Sequence, residues 1–546
     1  MKKFLALCLA VTLIMSAFVF TAGAEETKSV TYWIDIGQHD SSFNSFDELI
    51  CWQEVEKNTG IDVVWEHPAT NQATEQFNLI MASGQLPDIM YYAWGTSYPG
   101  GPSAAIADGK ILPLEDLIEE YAPNFYAYLQ AHPDIAKEVT TDEGHIYCFP
   151  MIYTYTDNEA TAWQEADERP PFDETFIGLV IRKDWLDELG LEIPVTLDDW
   201  YTVLKAFQTE KGCEHPLSYV NMFAELSNCF ASAYDVALPV SGYSGASAYV
   251  INEDGKVEYG AMGDGYKQYL EFMHKLYEEG LLDPDYLVQD RTTVQTKALN
   301  DEIGAWVEMM PAGIGTLVNQ RLAENPDDTF YCVGVANPVA TEGQQLKYKQ
   351  ASYPYRSAGA AITTSCQDVE TALRLCDYLW SNEGNKIMNW GIEGVSYEMV
   401  DGYPALTDAM INNTEGKTPS AMFKPYYQLN GPFQVDHGNR MATKKNYSLA
   451  EGEVDESLAA LDTWTYNNGT IPTGLPGGAT LTTEESSEYA TLFNEISTYV
   501  DEMRTKFIIG TESLDNYDTY SMMLDMMGID RCIELQQNAV DRYNAR

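Results

Sequence analysis

Basic residues are scarce: 32 Lys and Arg face 83 Asp and Glu over 546 residues, a formal net charge of −51. A surface of that sign repels nucleic acid and anionic membranes, which both need a basic footprint, and says little against a small neutral ligand. Cysteine is sparse as well. Nine residues lie singly along the chain, none at zinc-site spacing, which excludes a disulfide-dense module and a zinc finger. Beyond Phe20 no apolar run approaches the roughly 20 residues that a membrane span needs. The phosphate-cradling G-x-x-x-x-G-K-[ST] is missing, because Glu415-Gly416-Lys417-Thr418 has no upstream glycine. No histidine forms H-E-x-x-H, and Ser244 in Gly242-Tyr243-Ser244-Gly245-Ala246 misses the nucleophile elbow. With 83 acids, chance carboxylate pairs are too many to single out a glycosidase pair. Catalysis has no positive signal.

What is present begins with the leader. Lys2 and Lys3 precede the apolar run Phe4 to Phe20, and Ala22-Gly23-Ala24 stands before Glu25, the three parts of a secretory signal. Residues 1–24 are expected to be removed. That takes away two lysines, leaving 30 basic against 83 acidic residues and a net charge of −53. Eight cysteines remain (Cys51, Cys148, Cys213, Cys229, Cys332, Cys366, Cys376 and Cys532); one or two disulfides are open to them, their spacing fixes no pairing, and for Cys366 and Cys376 buried free thiols are the expectation. The length exceeds one ordinary core, so at least two lobes are expected.

Strand and helix signals alternate. Val30 to Ile36, Ile61 to Glu66 and Asp88 to Tyr92 read as strands, separated by helical patterns over Phe46 to Asn58 and Gln72 to Ser83. Gly84 and Pro87 stop the second helix. This is the pattern of parallel βαβ units. Near Gly144 the helical period ceases and His145 to Tyr153 reads as an extended crossover. A second α/β run then starts with the strand Gly178 to Ile181 and a helix from Lys183 to Gly190. Tyr249 to Tyr259 predicts a hairpin with an Asp-Gly turn. The last hundred residues become helical: Thr482-x-x-Glu485 is a capping box, and Tyr489, Leu492, Phe493, Ile496, Val500, Met503 and Phe507 form a core-facing stripe.

Aromatic residues make up 12% of the chain. Trp94, Tyr98, Trp163, Trp306, Tyr355, Trp390, Trp464 and Tyr466 lie beside Gly, Pro, Asn or charged residues. Singly, each reads as rim packing at least as well as ligand contact. Together they suggest a sugar site, since a pyranose stacks its C–H face on an indole or phenol while acids and amides take its hydroxyls.

The stretch Met81-Ala-Ser-Gly-Gln-Leu-Pro-Asp-Ile-Met-Tyr-Tyr-Ala-Trp94, followed by Ala105 to Tyr121, resembles the family 1 extracellular solute-binding proteins that serve ABC importers of sugars. Tyr147 to Tyr153, Gly178 to Phe207, Trp390 to Asp408, Lys506 to Gly510 and Met526 to Tyr543 match in family order. The resemblance implies an α/β, periplasmic-binding-protein-like type II fold. Two lobes would be joined by hinge crossovers, with residues 25–150 and 338–395 in the first, 151–337 and 396–546 in the second, and a helical C-terminal portion. It implies an exported, monomeric, non-catalytic protein that captures an oligosaccharide between the lobes and delivers it to membrane permease subunits, without cofactor or nucleic acid. Because ligands bind beyond the carboxyl ends of strands, the implied ligand-binding residues are His39, Asp40, Phe43, Tyr92, Trp94, Tyr153, Tyr155, Trp306, Glu308, Tyr355, Arg356, Trp390 and Glu393. Gly391 and Gly394 would bend the Trp390 turn, Trp94→Ala would weaken sugar binding without unfolding the protein, and Arg182 with Asp184 is expected to form an ion pair or helix cap. Two departures stand out. Large members often carry a calcium loop after the helix ending in Ala-Phe, whereas Ala206-Phe207 is followed by too few oxygen ligands, so no metal is expected. Cys8 lies too early in the leader for lipid anchoring. The rival readings are a secreted glycoside hydrolase and a binding protein for a peptide or an acidic oligosaccharide, the last served by Arg182, Arg356 or Arg440.

Overall fold

The computed structural model describes residues 28–37, 42–69, 72–153, 177–220, 229–238, 249–309, 314–349, 355–415, 417–428, 430–436, 438–445, 455–465, 471–472 and 474–546. His39, Asp40, Tyr155, Trp163, Ser244 and Tyr466 lie outside these residues.

The alternating signals of the first hundred residues become βαβ units. β1 (Lys28–Trp33) pairs in parallel with β2 (Ile61–Glu66) and with β3 (Ile89–Tyr92). The helices Ile50–Thr59 and Ala73–Ser83 make the crossovers, and Gly84 stops the second as predicted. β4 (Phe149–Tyr153) comes next, and the chain leaves for the second lobe. There β5 (Ile177–Arg182), buried along its whole length, is the centre of a second sheet with β6 (Leu217–Ser218), β9 (Ala305–Met309) and β10 (Cys332–Val335), in the order β10-β5-β9-β6. A strand covered on both faces reads as an unbroken apolar run, which is why Ile177 to Ile181 carries no polar alternation. Between β6 and β9, β7 (Tyr249–Ile251) and β8 (Val257–Tyr259) form the predicted hairpin.

After β10 the chain passes through β11 (Tyr348–Lys349) and returns. β12 (Tyr355–Ile362) inserts antiparallel between β3 and β4. Past the β13 (Tyr397–Val400) and β14 (Tyr403–Leu406) hairpin, β15 (Gln434–Val435) adds in parallel to β4, completing the order β15-β4-β12-β3-β1-β2. The chain thus leaves the first lobe after β4 and re-enters it once, at β12, before β15 completes the sheet. Its core runs from Val30 to Ile152, then takes Tyr355 to Met388, Phe433 and Val435; a separate core holds Ile177 to Val335 together with Leu475 to Val540. β16 (Ile471–Pro472) pairs with β11. Among the described residues no helix is long and apolar enough to cross a membrane. The eight cysteines among the described residues are buried, and none is in a disulfide.

The C-terminal helices belong to the second core but reach the first. Thr482 and Glu485 close the predicted capping box on the helix Thr483–Ile509, whose Ile496, Val500, Met503 and Phe507 face inward. The last helix, Ile529–Ala545, buries Ile529, Cys532 and Val540 in the same core. Its end docks on the first lobe: the Tyr543 hydroxyl donates to Glu138 Oε1 at 2.8 Å, and Arg542 and Arg546 both hold Asp142, at 2.9 and 2.7 Å. The other Glu138 oxygen accepts from the Gly478 N–H at 2.6 Å. Glu138 is 4% exposed, and burial pushes its carboxyl up from 4.5 to about 7 against those two hydrogen bonds, which favour the charged form. The folded state therefore binds the Glu138 proton more tightly than the unfolded chain. The resulting stability is full below pH 4.5 and is lost as pH rises to about 7. Urea unfolding of wild type and Glu138→Gln across pH 4.5 to 8 will show the difference moving in the variant's favour with rising pH, by up to about 3 kcal/mol; a pH-independent difference would contradict it.

Candidate functional site

Strand directions bring the relevant residues to two edges. In the first sheet the carboxyl ends of β1, β2, β3, β4 and β15 and the amino end of β12 share one edge, because Val435 pairs with Tyr153, Tyr355 with Ile152 and Gly359 with Tyr92. In the second sheet the carboxyl ends of β6, β9 and β10 and the amino end of β5 share another, with Met309 opposite Ile177 and Val335 opposite Leu179. The chain passes between the lobes from these edges: β4 leads to β5, β10 leads back to β12, and β15 leads to the helix Glu456–Thr465 packed on β10.

The residues singled out from sequence divide sharply. Phe43 and Tyr92 sit on the first edge, half-buried; the Tyr92 ring stacks on Phe77 at 4.5 Å and its hydroxyl meets Thr74 Oγ1 at 3.0 Å. Tyr153 ends β4 and Arg356 is the second residue of β12. Glu393 is exposed in the turn after Trp390, where Gly391 and Gly394 both have positive φ. A Cβ on Gly391 would stand 2.6 Å from Ser396 Oγ and 2.7 Å from Tyr426 Cβ, so the sharp bend and the close packing both require glycine.

Four aromatic expectations need correction. Trp94, Trp306, Tyr355 and Trp390 are completely buried, so none presents a ring face here. Trp94 points back into the first core, donating to its own chain at Met90 O (3.3 Å) and packing edge-on to Phe77. It starts a four-residue helix, Trp94–Ser97, which turns its side chain inward just where the strand would have carried it to solvent. Tyr355 hydrogen bonds to the Tyr147 hydroxyl at 2.7 Å. Trp306 lies inside β9, since the strand begins at Ala305, and fills a smaller core with Val180, Ile303 and Phe330. Trp390 ends the helix Asn382–Trp390, and its indole N–H donates to Asp436 at 2.8 Å. Glu308 is 1% exposed and is held by Arg291 Nε at 2.6 Å and Gln295 Nε2 at 3.0 Å. It is a neutralised carboxylate, unlike the free hydroxyl acceptor expected.

The Arg182–Asp184 ion pair is present and two-pronged, at 2.9 and 2.6 Å, with the guanidinium 4.2 Å from the Trp185 ring centre. The segment after Phe207 is closed by donors. Gln208 Nε2 reaches the carbonyls of Glu214, Glu279 and Gly280, and the His215 ring meets Gly280 O at 2.9 Å. Among the described residues no group of three or more His, Cys, Asp or Glu is placed to hold a metal.

Other residues at the edges were missed in the sequence. Asp35 stands exposed after β1, His67 follows β2, Arg291 pairs with Glu308, and Asp436 follows β15, accepting from Trp390 and Tyr403. The strand-end rule that selected Tyr92 would have found His67 and Asp35. Asp283, also near this edge, is buried, yet hydrogen bonds from Lys297 (2.7 Å) and Ser218 (2.7 Å) hold its carboxyl below the usual range.

Two α/β lobes whose strands end at the connected edges define a periplasmic-binding-protein-like solute-binding protein. The model of the bacterial extracellular solute-binding protein family matches residues 37–386, and the chain belongs to that family. The fructooligosaccharide ABC transporter substrate-binding protein FusA of Streptococcus pneumoniae is 23% identical over 518 residues, covering 91% of this chain and 88% of that one. The polygalacturonan/rhamnogalacturonan-binding protein YtcQ of Bacillus subtilis is 25% identical over 351 residues, 63% of each chain. The structure of FusA in complex with kestose has a TM-score of 0.71 at 21% identity, covering 95% of this chain and 100% of that one.

Because the Trp94 ring is core, Trp94→Ala is expected to lower unfolding free energy by about 3 to 5 kcal/mol. Denaturant titration checks this; a change below about 1 kcal/mol would return Trp94 to the list of exposed ring faces.

Proposed function

We propose that this protein binds an oligosaccharide reversibly between its two lobes and hands it unchanged to the permease of an ABC transporter, working as an exported monomer after loss of residues 1–24. The observation that carries the reading is the convergence of strand carboxyl ends from both sheets on the side where the chain crosses between lobes. Ligands of open α/β sheets bind there, and hinge closure around them is an established motion of two-lobed folds. Phe43 and Tyr92 supply partly exposed rings, and Asp35 and Glu393 supply exposed carboxylates. His39, Asp40, Tyr153, Tyr155 and Arg356 belong to the same proposal as ligand contacts. That FusA is named for fructooligosaccharides supports an oligosaccharide over a peptide.

A hydrolase reading draws no support from Glu308, a buried carboxylate near the second edge. With Arg291 and Gln295 on its two oxygens it is ill suited as nucleophile or acid, since glycoside cleavage needs a free carboxylate pair.

Thermal unfolding of the mature protein against a panel of neutral oligosaccharides, kestose first, and acidic ones such as oligogalacturonates tests the proposal. A true ligand at 100 times its Kd stabilises by about 2.7 kcal/mol, a rise of roughly 1 to 3 °C in a chain of this size. The expected result is a rise with a neutral oligosaccharide and no new reducing ends. New reducing ends would make the protein a hydrolase, and a rise with acidic oligomers alone would replace the ligand class.

A further inference from the structure

The loop after β1 leaves the first sheet at Ile34 and rejoins regular structure at Phe46, which opens the 3-10 turn Phe46–Glu48. Both ends are buried. One side chain from a different strand end touches both of them. The Phe46 backbone N–H donates to His67 Nε2 at 3.2 Å, so that nitrogen carries no proton; Nδ1 then carries it and donates to Ile34 O at 2.8 Å. Protein packing fixes the ring plane as well. The imidazole lies parallel to the Trp65 ring, 7° between planes at 5.8 Å, and edge-on to Phe46 at 4.9 Å. Ile34 N donates to Glu66 O at 3.1 Å, so the strand that carries His67 is itself registered on the loop's first residue.

We infer that His67 is the positioning residue of the ligand site's first loop: its neutral imidazole clamps Ile34 and Phe46 together and so fixes where Asp35 and Phe43 stand at the first sheet's edge. The inference rests on the proposed oligosaccharide reading of that edge. The clamp works in one protonation state only. A second proton would go to Nε2, turning it into a donor facing the Phe46 N–H, two donors with nothing between them, and the Phe46 end would let go. Burial disfavours that proton and lowers the imidazole's pKa. The hydrogen bond to Ile34 O and the acids Asp47, on the 3-10 turn, and Asp35, on the loop, act the other way. Glu66 on β2 and Glu48 on the turn are exposed. The clamp therefore holds at neutral pH and opens as pH falls through the lowered imidazole value.

The test measures calorimetric affinity from pH 7.5 to 4.5 for the panel oligosaccharide with the largest thermal shift, in wild type, His67→Gln and His67→Ala. Wild-type affinity should hold above pH 6.5 and fall about tenfold below the His67 pKa. His67→Gln, whose amide oxygen can take the Phe46 N–H and which does not titrate, should bind within about threefold of wild type at pH 7.5 and lose the acid decline. His67→Ala should be about tenfold weaker at every pH. An acid decline surviving in His67→Gln, or wild-type affinity in His67→Ala, overturns the inference. The Phe46 amide resonance of ligand-free protein gives a readout independent of sugar. It should shift with the His67 titration in wild type and stay still in His67→Gln, and a still resonance in wild type overturns the clamp even where an oligosaccharide binds. If no panel sugar binds while the amide titrates, the clamp stands and the ligand class is what fails.

Discussion

The constraint on which the architecture depends is the insertion of β12 between β3 and β4. The strand is central to the first sheet, yet it is synthesised only after the whole second sheet. Neither lobe can be completed as a continuous chain, so the crossovers are a consequence of sheet order. Close approach makes the insertion feasible. A Cβ on Gly359 would stand 2.5 Å from Cys148 Sγ and 2.8 Å from Phe149 O, so only glycine lets β12 lie against β4 at this register. Between Tyr355 and Gly359 the register shifts, and Ser357, at φ 62°, donates its hydroxyl to Gly477 O at 2.9 Å. The bulge near the start of the central strand therefore also receives the loop leading to the C-terminal helices.

From that sheet order follows the candidate site. An antiparallel β12 starts where the parallel strands end, which puts one interlobe connection beside the carboxyl ends of β1 to β4. The second sheet mirrors this with β5 antiparallel to both β9 and β10. Away from the crossovers, the last helix ties the lobes through Tyr543, Arg542 and Arg546 on Glu138 and Asp142. A hinge motion must either preserve or break these contacts. The partly buried Arg546 to Asp142 pair, with the tyrosine bond to a buried carboxyl, makes breaking them costlier than parting surface charges.

Much of the fold was legible in the sequence because periodicity reports burial. Ile61 to Glu66, the helix from Lys183, the Tyr249 hairpin and the Thr482 capping box appear where expected. The family order of motifs was legible too. The site was less so, since a strand-end rule places a backbone and leaves the side chain's direction open. Tyr92 and Trp94 are two residues apart, yet one keeps an exposed edge while a four-residue helix turns the other into the core. Trp306 was misread because the strand starts two residues later than its apolar run. Glu308 looked like a free acid because its partner Arg291 lies 17 residues away on another element. His67 went unremarked because its role is made by contacts to Ile34 and Phe46, which no local pattern announces.

The central claim is that ligand is held between lobes that close on it. Small-angle scattering of the mature protein, with and without a saturating oligosaccharide, addresses it directly. The account predicts a smaller radius of gyration with ligand at unchanged molecular mass. An unchanged radius under conditions where calorimetry shows full occupancy would contradict it, and would move the binding site off the interlobe edges.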